Sequence, residues 1–309
     1  MNVRTVYLGT TDFAATVLHR LAASDHRPQL VVTRPDRPRG RGRRLQSPPV
    51  ADAARELGME VDQPESVNAE EARERIAAAD PEAVCICAYG ALIREPLLSD
   101  HEMYNVHPSL LPRWRGAAPI ERAIEAGDGL TGVSIMRPIA ELDAGPVYLG
   151  RATTICDDDD YGSLSGRLAP LAGDLLTEAL TERLEPREQP HEGVAYAEKI
   201  GREERRLDPA MTGVRLARKV RALTPHVGAF VETATGERLG VRRAIAAPEA
   251  TSSAPGALTA VGDRLLFACA QGSLELLEVQ PPGGRAMAAA DYLRGRTTAL
   301  AGRGEAGGG

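Results

Sequence analysis

The sequence predicts an α/β chain in two parts: an N-terminal domain with a doubly wound, mostly parallel sheet, and a small C-terminal β-barrel. In the N-terminal part, short apolar β-rich runs alternate with helical patterns, as in sheets that carry helices on both faces. These runs lack polar alternation, which is typical of parallel strands buried on both sides. The C-terminal part contains several short β-rich runs separated by glycine turns, the pattern of a small barrel.

Strands and helices of the N-terminal domain follow from local patterns. The predicted strands are residues 3–8, 30–32, 83–88 and 103–106. Apolar spacing predicts a helix over residues 13–21, and a proline pair opens another over 48–57, since proline is tolerated in the first turn. Asn68, with Glu71 three positions later, predicts the N-cap of a helix over residues 70–79.

The composition changes after a helix that ends near Arg183. The following stretch is polar and proline-bearing, so a linker is predicted there. A basic helix over residues 211–222 precedes the β-rich runs, which predict an OB-like barrel. The predicted boundaries are 1–185 for the N-terminal domain, 186–203 for the linker, 204–302 for the barrel and 303–309 for a disordered tail.

Charge is unevenly distributed along the chain. The net charge of −6 argues against nonspecific binding of nucleic acid. However, residues 34–44 hold six arginines and one aspartate, and residues 203–309 hold fourteen Lys or Arg against eleven Asp or Glu. The rest of the chain is therefore acidic. This distribution predicts a single surface that faces a polyanion.

Cysteine usage and hydropathy restrict the class of protein. Cys85 and Cys87 alternate within an apolar run, which favours strand packing over metal binding or redox chemistry. The longest apolar stretch, residues 83–93, is about half the length of a membrane span, and the first residues form a strand pattern without a signal-peptide cleavage site. We expect a cytoplasmic monomer without a metal or a membrane segment.

The sequence around Asn105 and His107 carries the strongest chemical signal. Two positions apart in a strand, their side chains project from the same face, at the strand end where open α/β sheets bind ligands. An amide and an imidazole side by side suit the binding of an oxyanion and the movement of a proton. The loop at residues 140–146, bounded by glycine and proline, supplies a carboxylate that could orient His107. From spacing alone, a purely structural His107 is an equally good interpretation.

An acidic run at residues 157–160 allows two interpretations. Four consecutive aspartates could bind a cation. They also precede a predicted helix that begins near Tyr161, where negative charge is favoured by the helix dipole. We favour the second interpretation.

The chemical residues form a recognisable pattern. Asn105-x-His107, the Ser-Leu-Leu-Pro turn that follows and the later Asp143 resemble the folate-dependent formyltransferase superfamily. The resemblance implies that these three residues serve formyl transfer and that the turn borders the folate site. The Tyr89-Gly90 turn at the adjacent strand end is expected to line the same cleft. The predicted folate-site residues are therefore Ser109, Leu110, Leu111, Pro112, Tyr89 and Gly90.

A narrower resemblance spans nearly the whole chain. Residues 8–13, the basic stretch 34–50, residues 113–120 and the C-terminal 279–295 are similar to the methionyl-tRNA formyltransferases. This resemblance implies 10-formyltetrahydrofolate as formyl donor and initiator methionyl-tRNA as acceptor. The basic stretch is expected to contact tRNA phosphates. Its predicted tRNA-binding residues are Arg37, Arg39, Arg41, Arg43 and Arg44.

Three positions depart from the pattern of that family. Thr11 stands where proline is usual, which is expected to change only the stiffness of the loop. His226 replaces the usual tryptophan, which puts one aromatic contact of the C-terminal domain in doubt. Gly284-Arg285 replaces a Gly-Lys-Lys sequence and keeps one positive charge.

Three other functions share part of this pattern. A same-fold formyltransferase acting on a sugar-nucleotide amine shares the catalytic pattern but has no use for a basic loop and a basic barrel. A nicotinamide dehydrogenase is disfavoured because the loop at residues 9–13 lacks a G-x-G-x-x-G sequence. A non-catalytic RNA-binding protein on an enzyme scaffold is disfavoured by the intact Asn105, His107 and Asp143.

Overall fold

The computed structural model describes residues 2–39, 44–248 and 253–295. Within these ranges the chain forms two compact units. The first unit contains residues up to 119, together with 129–155 and 164–198. The second contains residues 120–128, 156–163 and those from 199 onward.

Strands of the first unit form one large sheet and two short pairs. In chain order they are β1 (Thr5–Gly9), β2 (Pro28–Val32), β3 (Arg37–Arg39), β4 (Arg44–Gln46), β5 (Glu60–Asp62), β6 (Ala83–Cys87), β7 (Met103–His107), β8 (Arg115–Gly116), β9 (Leu130–Met136), β10 (Val147–Thr154) and β11 (Tyr196–Ala197). The large sheet has the order β10-β9-β7-β6-β1-β2-β5. The five neighbouring strands β7-β6-β1-β2-β5 run parallel to one another. Strand β9 is antiparallel to both of its neighbours, β7 and β10. The predicted doubly wound, mostly parallel sheet is confirmed.

Helices cover both faces of this sheet. In chain order the α-helices of the described residues, counting both units, are α1 (Asp12–Ala22), α2 (Pro49–Glu56), α3 (Glu70–Ala78), α4 (Leu97–Asp100), α5 (Pro119–Ala126), α6 (Tyr161–Glu182), α7 (Gly213–Leu223) and α8 (Ala289–Arg294). On one face, the hydroxyl of Tyr7 donates to the carbonyl of Ala14 in α1 at 2.6 Å. On the other face, Val6 and Leu8 pack in one buried cluster with Ile76 of α3. Successive residues of β1 therefore supply two cores, as the unalternated strand pattern predicted.

Cys85 and Cys87 lie in the middle of this sheet. Both are buried free thiols. Burial raises the pKa of Cys85 and raises that of Cys87 to about 12. Since the thiolate is the reactive form, both residues act as packing groups, in agreement with the sequence-based interpretation.

Helix starts show where local patterns succeed and fail. Thr11 is the N-cap of α1 and its hydroxyl accepts a hydrogen bond from the amide of Ala14, so this departure from the family pattern stabilises the helix start. Pro49 begins α2 as predicted. The predicted Asn68 cap is wrong: Ala69 is the N-cap of α3. Asn68 instead bonds to the backbone of residues 92 and 94, because that loop offers its amide two partners.

The acidic run before α6 makes local hydrogen bonds. Asp159 is buried and accepts from the Cys156 amide and the Ser163 hydroxyl at 2.7 and 2.8 Å. Asp160 accepts from the Ser163 amide at 2.9 Å. These contacts support the helix-start interpretation. Among the residues that the structure describes, no three His, Cys, Asp or Glu side chains form a group that could hold a metal ion.

The second unit contains a six-stranded antiparallel sheet. Its strands are β12 (Ala229–Glu232), β13 (Arg238–Ala247), β14 (Leu258–Val261), β15 (Arg264–Ala268), β16 (Ser273–Gln280) and β17 (Met287–Ala288). The order is β12-β13-β16-β15-β14, with β17 paired to β16. The β-rich runs predicted from the sequence all fall on these strands. No pairing between β12 and β14 is seen in the described ranges, so closure into a barrel stays a prediction.

His226 keeps an aromatic contact in this unit. Its imidazole stacks on the ring of Tyr161 with a centroid distance of 3.6 Å. One ring nitrogen lies 2.9 Å from a carboxylate oxygen of Glu121. The histidine at this position therefore makes a stacking interaction and has a polar partner.

His26 is expected to make the stability of the first unit dependent on pH. Its ring is buried, Nδ1 accepts from the Val3 amide at 3.1 Å, and Nε2 lies 2.9 Å from the Thr181 hydroxyl. Burial lowers the pKa of His26 below its ordinary 6.5. At a pH between the lowered pKa and 6.5, His26 therefore binds a proton in the unfolded chain but not in the folded chain. The stability contributed by the neutral ring is fully present above pH 6.5 and decreases as the pH falls below that value.

We expect the unfolding midpoint of the wild type to fall on acidification through pH 6.5. In His26→Asn, which does not titrate, this fall should be smaller. Thermal unfolding monitored by circular dichroism over a pH series measures both, with the exposed His191→Asn as the matched control. Parallel pH profiles for wild type and His26→Asn would contradict the assignment to His26.

Candidate active site

Strand β7 carries Asn105 and His107 at its carboxyl end. It lies between β6 and β9, with Asn105 opposite Met136 and His107 opposite Ser134 in the β9 register. Because pairing on both sides fixes this strand, the positions of both side chains are set by the sheet. Both residues therefore lie at the carboxyl end of an interior strand, where the sequence predicted a site.

His107 is held between a carbonyl and a carboxylate. The residue is 4% exposed. Nε2 lies 2.8 Å from the carbonyl oxygen of Trp114, which can only accept, so Nε2 carries the proton and donates it. Nδ1 lies 3.7 Å from Oδ2 of Asp143. A proton on Nδ1 would make this approach favourable, so the pair is suited to receive and release a proton.

The turn after β7 presents the Trp114 carbonyl. Trp114 has a φ of 66°, in the left-handed region. The Ser109 hydroxyl donates to the carbonyl of Arg113 at 2.7 Å. The Ser134 hydroxyl donates to the carbonyl of Ser109 at 2.8 Å and accepts from the Leu111 amide at 3.2 Å. The turn is therefore fixed internally and against β9.

Asp143 is oriented by the backbone of Gly116. Its Oδ2 accepts from the Gly116 amide at 2.9 Å, and its side chain is 13% exposed. Gly116 has a φ of 119° and lies against Ala197 of β11. A Cβ at this position would lie 2.7 Å from the Ala197 carbonyl oxygen, so only glycine fits. The three predicted catalytic residues thus lie in one place, with Asp143 reaching His107 from a separate loop.

Asn105 offers a donor at low cost. Its Nδ2 lies 3.5 Å from the sulfur of Met136. A thioether is a weak acceptor, so transferring this N–H to a developing oxyanion sacrifices little. The amide and the His107–Asp143 pair together can stabilise negative charge and move a proton, which is the chemistry of acyl transfer.

The predicted folate-site residues occupy two neighbouring turns. Leu110, Leu111 and Pro112 are partly exposed, whereas Ser109 is buried and bonds within its own turn. The carbonyl of Tyr89 accepts from the Thr10 hydroxyl at 2.7 Å, which ties together the ends of β1 and β6.

The two residues of the Tyr89-Gly90 turn differ in exposure. The Tyr89 ring is buried in the core cluster that contains Val6 and Leu8. Burial raises its pKa. Only the backbone of Tyr89 is available to a ligand, whereas Gly90 is exposed.

The basic stretch contains two short strands, β3 and β4, which form the basic hairpin (residues 37–46). Strand β3 pairs antiparallel with β4, a structure that the sequence interpretation as a loop missed. Arg37 lies 3.2 Å from a carboxylate oxygen of Glu65, and the Arg44 side chain is exposed. Arg41, Arg43 and the side chain of Arg39 lie outside the described residues.

Backbone groups that complete the site were not predicted. The Trp114 carbonyl and the Gly116 amide orient His107 and Asp143, yet neither contact has a side-chain signature. Both residues lie in the stretch 113–120 singled out by resemblance, which is the only signal that could have found them. Ser134, buried on β9, had no recognisable signal.

Known protein families match both parts of the chain. The family described as formyl transferase matches residues 1–180, and the family described as formyl transferase, C-terminal domain, matches residues 199–297. None of the helices in the described part of the chain has the length and apolar character that crossing a membrane requires.

Individual relatives match over nearly the full length. The methionyl-tRNA formyltransferase of Methylococcus capsulatus is 44% identical over 307 residues, which cover 97% of this chain and 99% of the relative. That of Halorhodospira halophila is 45% identical over 96% of this chain and 97% of its own. Among solved structures, HypX from Aquifex aeolicus in complex with tetrahydrofolic acid has a TM-score of 0.63 at 17% identity. The match covers 97% of this chain but 48% of HypX, so it shows the fold alone.

Proposed function

The chain belongs to the methionyl-tRNA formyltransferase family, and we propose that it transfers a formyl group from 10-formyltetrahydrofolate to the amino group of initiator methionyl-tRNA. The observation that carries the proposal is the convergence of the Asn105 amide with the His107–Asp143 pair at the carboxyl end of the sheet. The full-length similarity to enzymes of this name supports the choice of acceptor.

The reaction requires two kinds of help from the protein. When the amino nitrogen attacks the formyl carbon, a C–N bond forms and negative charge develops on the formyl oxygen. The Asn105 amide and a protonated Nδ1 of His107 are the donors that stabilise this charge. Nε2 is already engaged by the Trp114 carbonyl, which holds the ring in place.

A proton must then move from one nitrogen to another. The attacking amine loses a proton, and the folate nitrogen that leaves gains one as its C–N bond breaks. Asp143, 3.7 Å from Nδ1 of His107, supports the imidazole and helps to move this proton. The products are tetrahydrofolate and N-formylmethionyl-tRNA, so atoms and charges balance without a covalent enzyme intermediate or a metal.

The two substrates are assigned to different parts of the chain. We propose that the folate, a substrate rather than a resident cofactor, lies along Leu110, Leu111, Pro112 and the Tyr89-Gly90 backbone. The basic hairpin and the C-terminal domain, residues 204–302, contact the tRNA, while residues 1–185 perform the chemistry. Because charged tRNA is a cytoplasmic substrate, we propose a cytoplasmic reaction by the monomer.

The basic hairpin should determine the salt dependence of tRNA binding. Replacing Arg41 and Arg43 with alanine removes two guanidinium groups that can neutralise phosphates. Each lost phosphate contact should reduce the magnitude of the log–log salt slope by up to ~0.9. Fluorescence titration of tRNA over a salt series measures this slope. Arg4→Ala is the control, because Arg4 pairs with Asp80 at the opposite end of β1. Parallel slopes for wild type and double variant would contradict a contact.

Acceptor choice tests the proposed function. Formyl transfer should be measured on methionyl-initiator-tRNA, methionyl-elongator-tRNA and a sugar-nucleotide amine in parallel, with 10-formyltetrahydrofolate as donor. We expect the initiator tRNA to be formylated with the highest kcat/KM. Preferential formylation of the sugar-nucleotide amine would overturn the proposal in favour of the same-fold alternative.

A further inference from the structure

Gln189 connects a segment predicted as a linker to the loop that carries Asp143. The residue belongs to the first unit and is 8% exposed. Its side chain lies between the Arg115 guanidinium and the backbone of the 141–145 loop. These contacts explain why Gln189 is buried, although the polar, proline-bearing composition of the surrounding stretch predicts an exposed linker.

Every polar atom of the Gln189 amide is used. Oε1 accepts from Nε and Nη2 of Arg115 at 3.0 and 2.8 Å. Nε2 donates to the carbonyl oxygens of Asp143 and Gly145 at 2.8 and 2.7 Å. Since a guanidinium can only donate and a carbonyl can only accept, these four contacts allow a single orientation of the amide.

The contacts of Gln189 hold the Asp143 backbone in an uncommon conformation. Asp143 has a φ of 50°, in the left-handed region that is uncommon for residues other than glycine. Such a conformation persists only where the surroundings determine it. The hydrogen bonds from Gln189 to the carbonyls of residues 143 and 145 fix the backbone in this conformation. Arg115 also lies 3.7 Å from Glu141 on the same loop.

We propose that Gln189 is a positioning residue for formyl transfer, acting with Arg115 to hold Asp143 against His107. The inference rests on the proposed function. Arg115 and Gly116 are consecutive in β8, and each helps to fix Asp143. The Gly116 amide donates directly to the Asp143 carboxylate. Arg115 holds Gln189, which in turn donates to the Asp143 carbonyl. Shifting this loop would change the 3.7 Å separation between Asp143 and His107.

Two substitutions separate the contacts of Gln189. Gln189→Glu keeps an acceptor for Arg115 but replaces the donor to the loop carbonyls with a carboxylate oxygen. Gln189→Met keeps the approximate volume and loses all four hydrogen bonds. Glu188→Gln, at the exposed neighbouring position, is the matched control.

We expect kcat for formyl transfer to fall by about 10-fold to 10²-fold in both Gln189 variants, since misplacing a catalytic group by about 1 Å can cost up to about 10²-fold. KM for either substrate should stay unchanged, because neither substrate is assigned to Gln189. Thermal unfolding confirms that the variants are folded. If Gln189→Met is unfolded, Gln189→Glu decides the question, since its carboxylate still pairs with Arg115.

Coupling to Asp143 distinguishes positioning from a general structural role. If Gln189 acts through Asp143, adding Gln189→Glu to Asp143→Asn should cause little further loss of kcat. Wild-type kcat in folded Gln189→Glu, or fully additive losses in the double variant, would overturn the inference. An inactive wild type would instead overturn the proposed function, so the two failures are distinguishable.

Discussion

Replacing Asn105 or His107 with alanine is expected to lower kcat by about 10²–10³, the usual cost of losing an oxyanion donor. Asn105 donates to the weakly accepting sulfur of Met136, and His107 is fixed by the Trp114 carbonyl. The Asn105 N–H can therefore be transferred to the oxyanion at little cost, and the His107 ring is preorganised, so removing either should affect the transition state more than substrate binding. Single-turnover formyl transfer with saturating folate measures the chemical step directly.

Matched substitutions elsewhere test whether this loss is specific. Asn68→Ala removes an amide that bonds to the backbone of residues 92 and 94, and His19→Ala removes an exposed imidazole on α1. Both should keep the wild-type rate. A near-wild-type single-turnover rate in Asn105→Ala or His107→Ala would show that the assignment of that donor is wrong.

Asp143→Asn is expected to cause a loss of kcat of similar size, about 10²–10³. Asparagine keeps the shape of the side chain and can still accept from the Gly116 amide. It carries no charge to support a protonated His107 and cannot accept the proton. The effect should therefore appear in the rate of transfer while the unfolding midpoint changes little.

The control for this substitution is Asp174→Asn, an exposed carboxylate on α6 that lies 3.9 Å from Arg20. It should leave the rate unchanged. An Asp143→Asn variant with wild-type single-turnover kinetics would mean that Gly116 and Asp143 form a structural contact only. The proton would then have to move by another route.

Prediction from sequence succeeded where a local pattern coincides with complete burial. Strand β6 is apolar at every position because both of its faces are covered, and it was predicted nearly to its ends. Strands β3 and β5 were missed because three-residue strands at a sheet edge or in a hairpin have no distinct periodicity. The longer antiparallel strands β9 and β10 were not predicted either. The Asn68 cap failed because a tertiary partner at residues 92 and 94 competes with the local one.

The chemical residues of the site could be predicted from the sequence for a similar reason. Asn105 and His107 are two positions apart on a predictable strand, and the resemblance supplied Asp143. Their orientation depends instead on the Trp114 carbonyl, the Gly116 amide and Gln189. Backbone direction at positive φ and a contact between residues 46 positions apart are set by tertiary structure, so no local pattern predicts them.

Single-turnover transfer to methionyl-initiator-tRNA tests the central claim most directly. The enzyme is mixed in excess over the charged tRNA with saturating 10-formyltetrahydrofolate, and the methionine is recovered by hydrolysis of its ester. Our account predicts that it is recovered as N-formylmethionine and that tetrahydrofolate is produced in equal amount. Recovery of unmodified methionine from folded wild-type enzyme that binds both substrates would contradict the account.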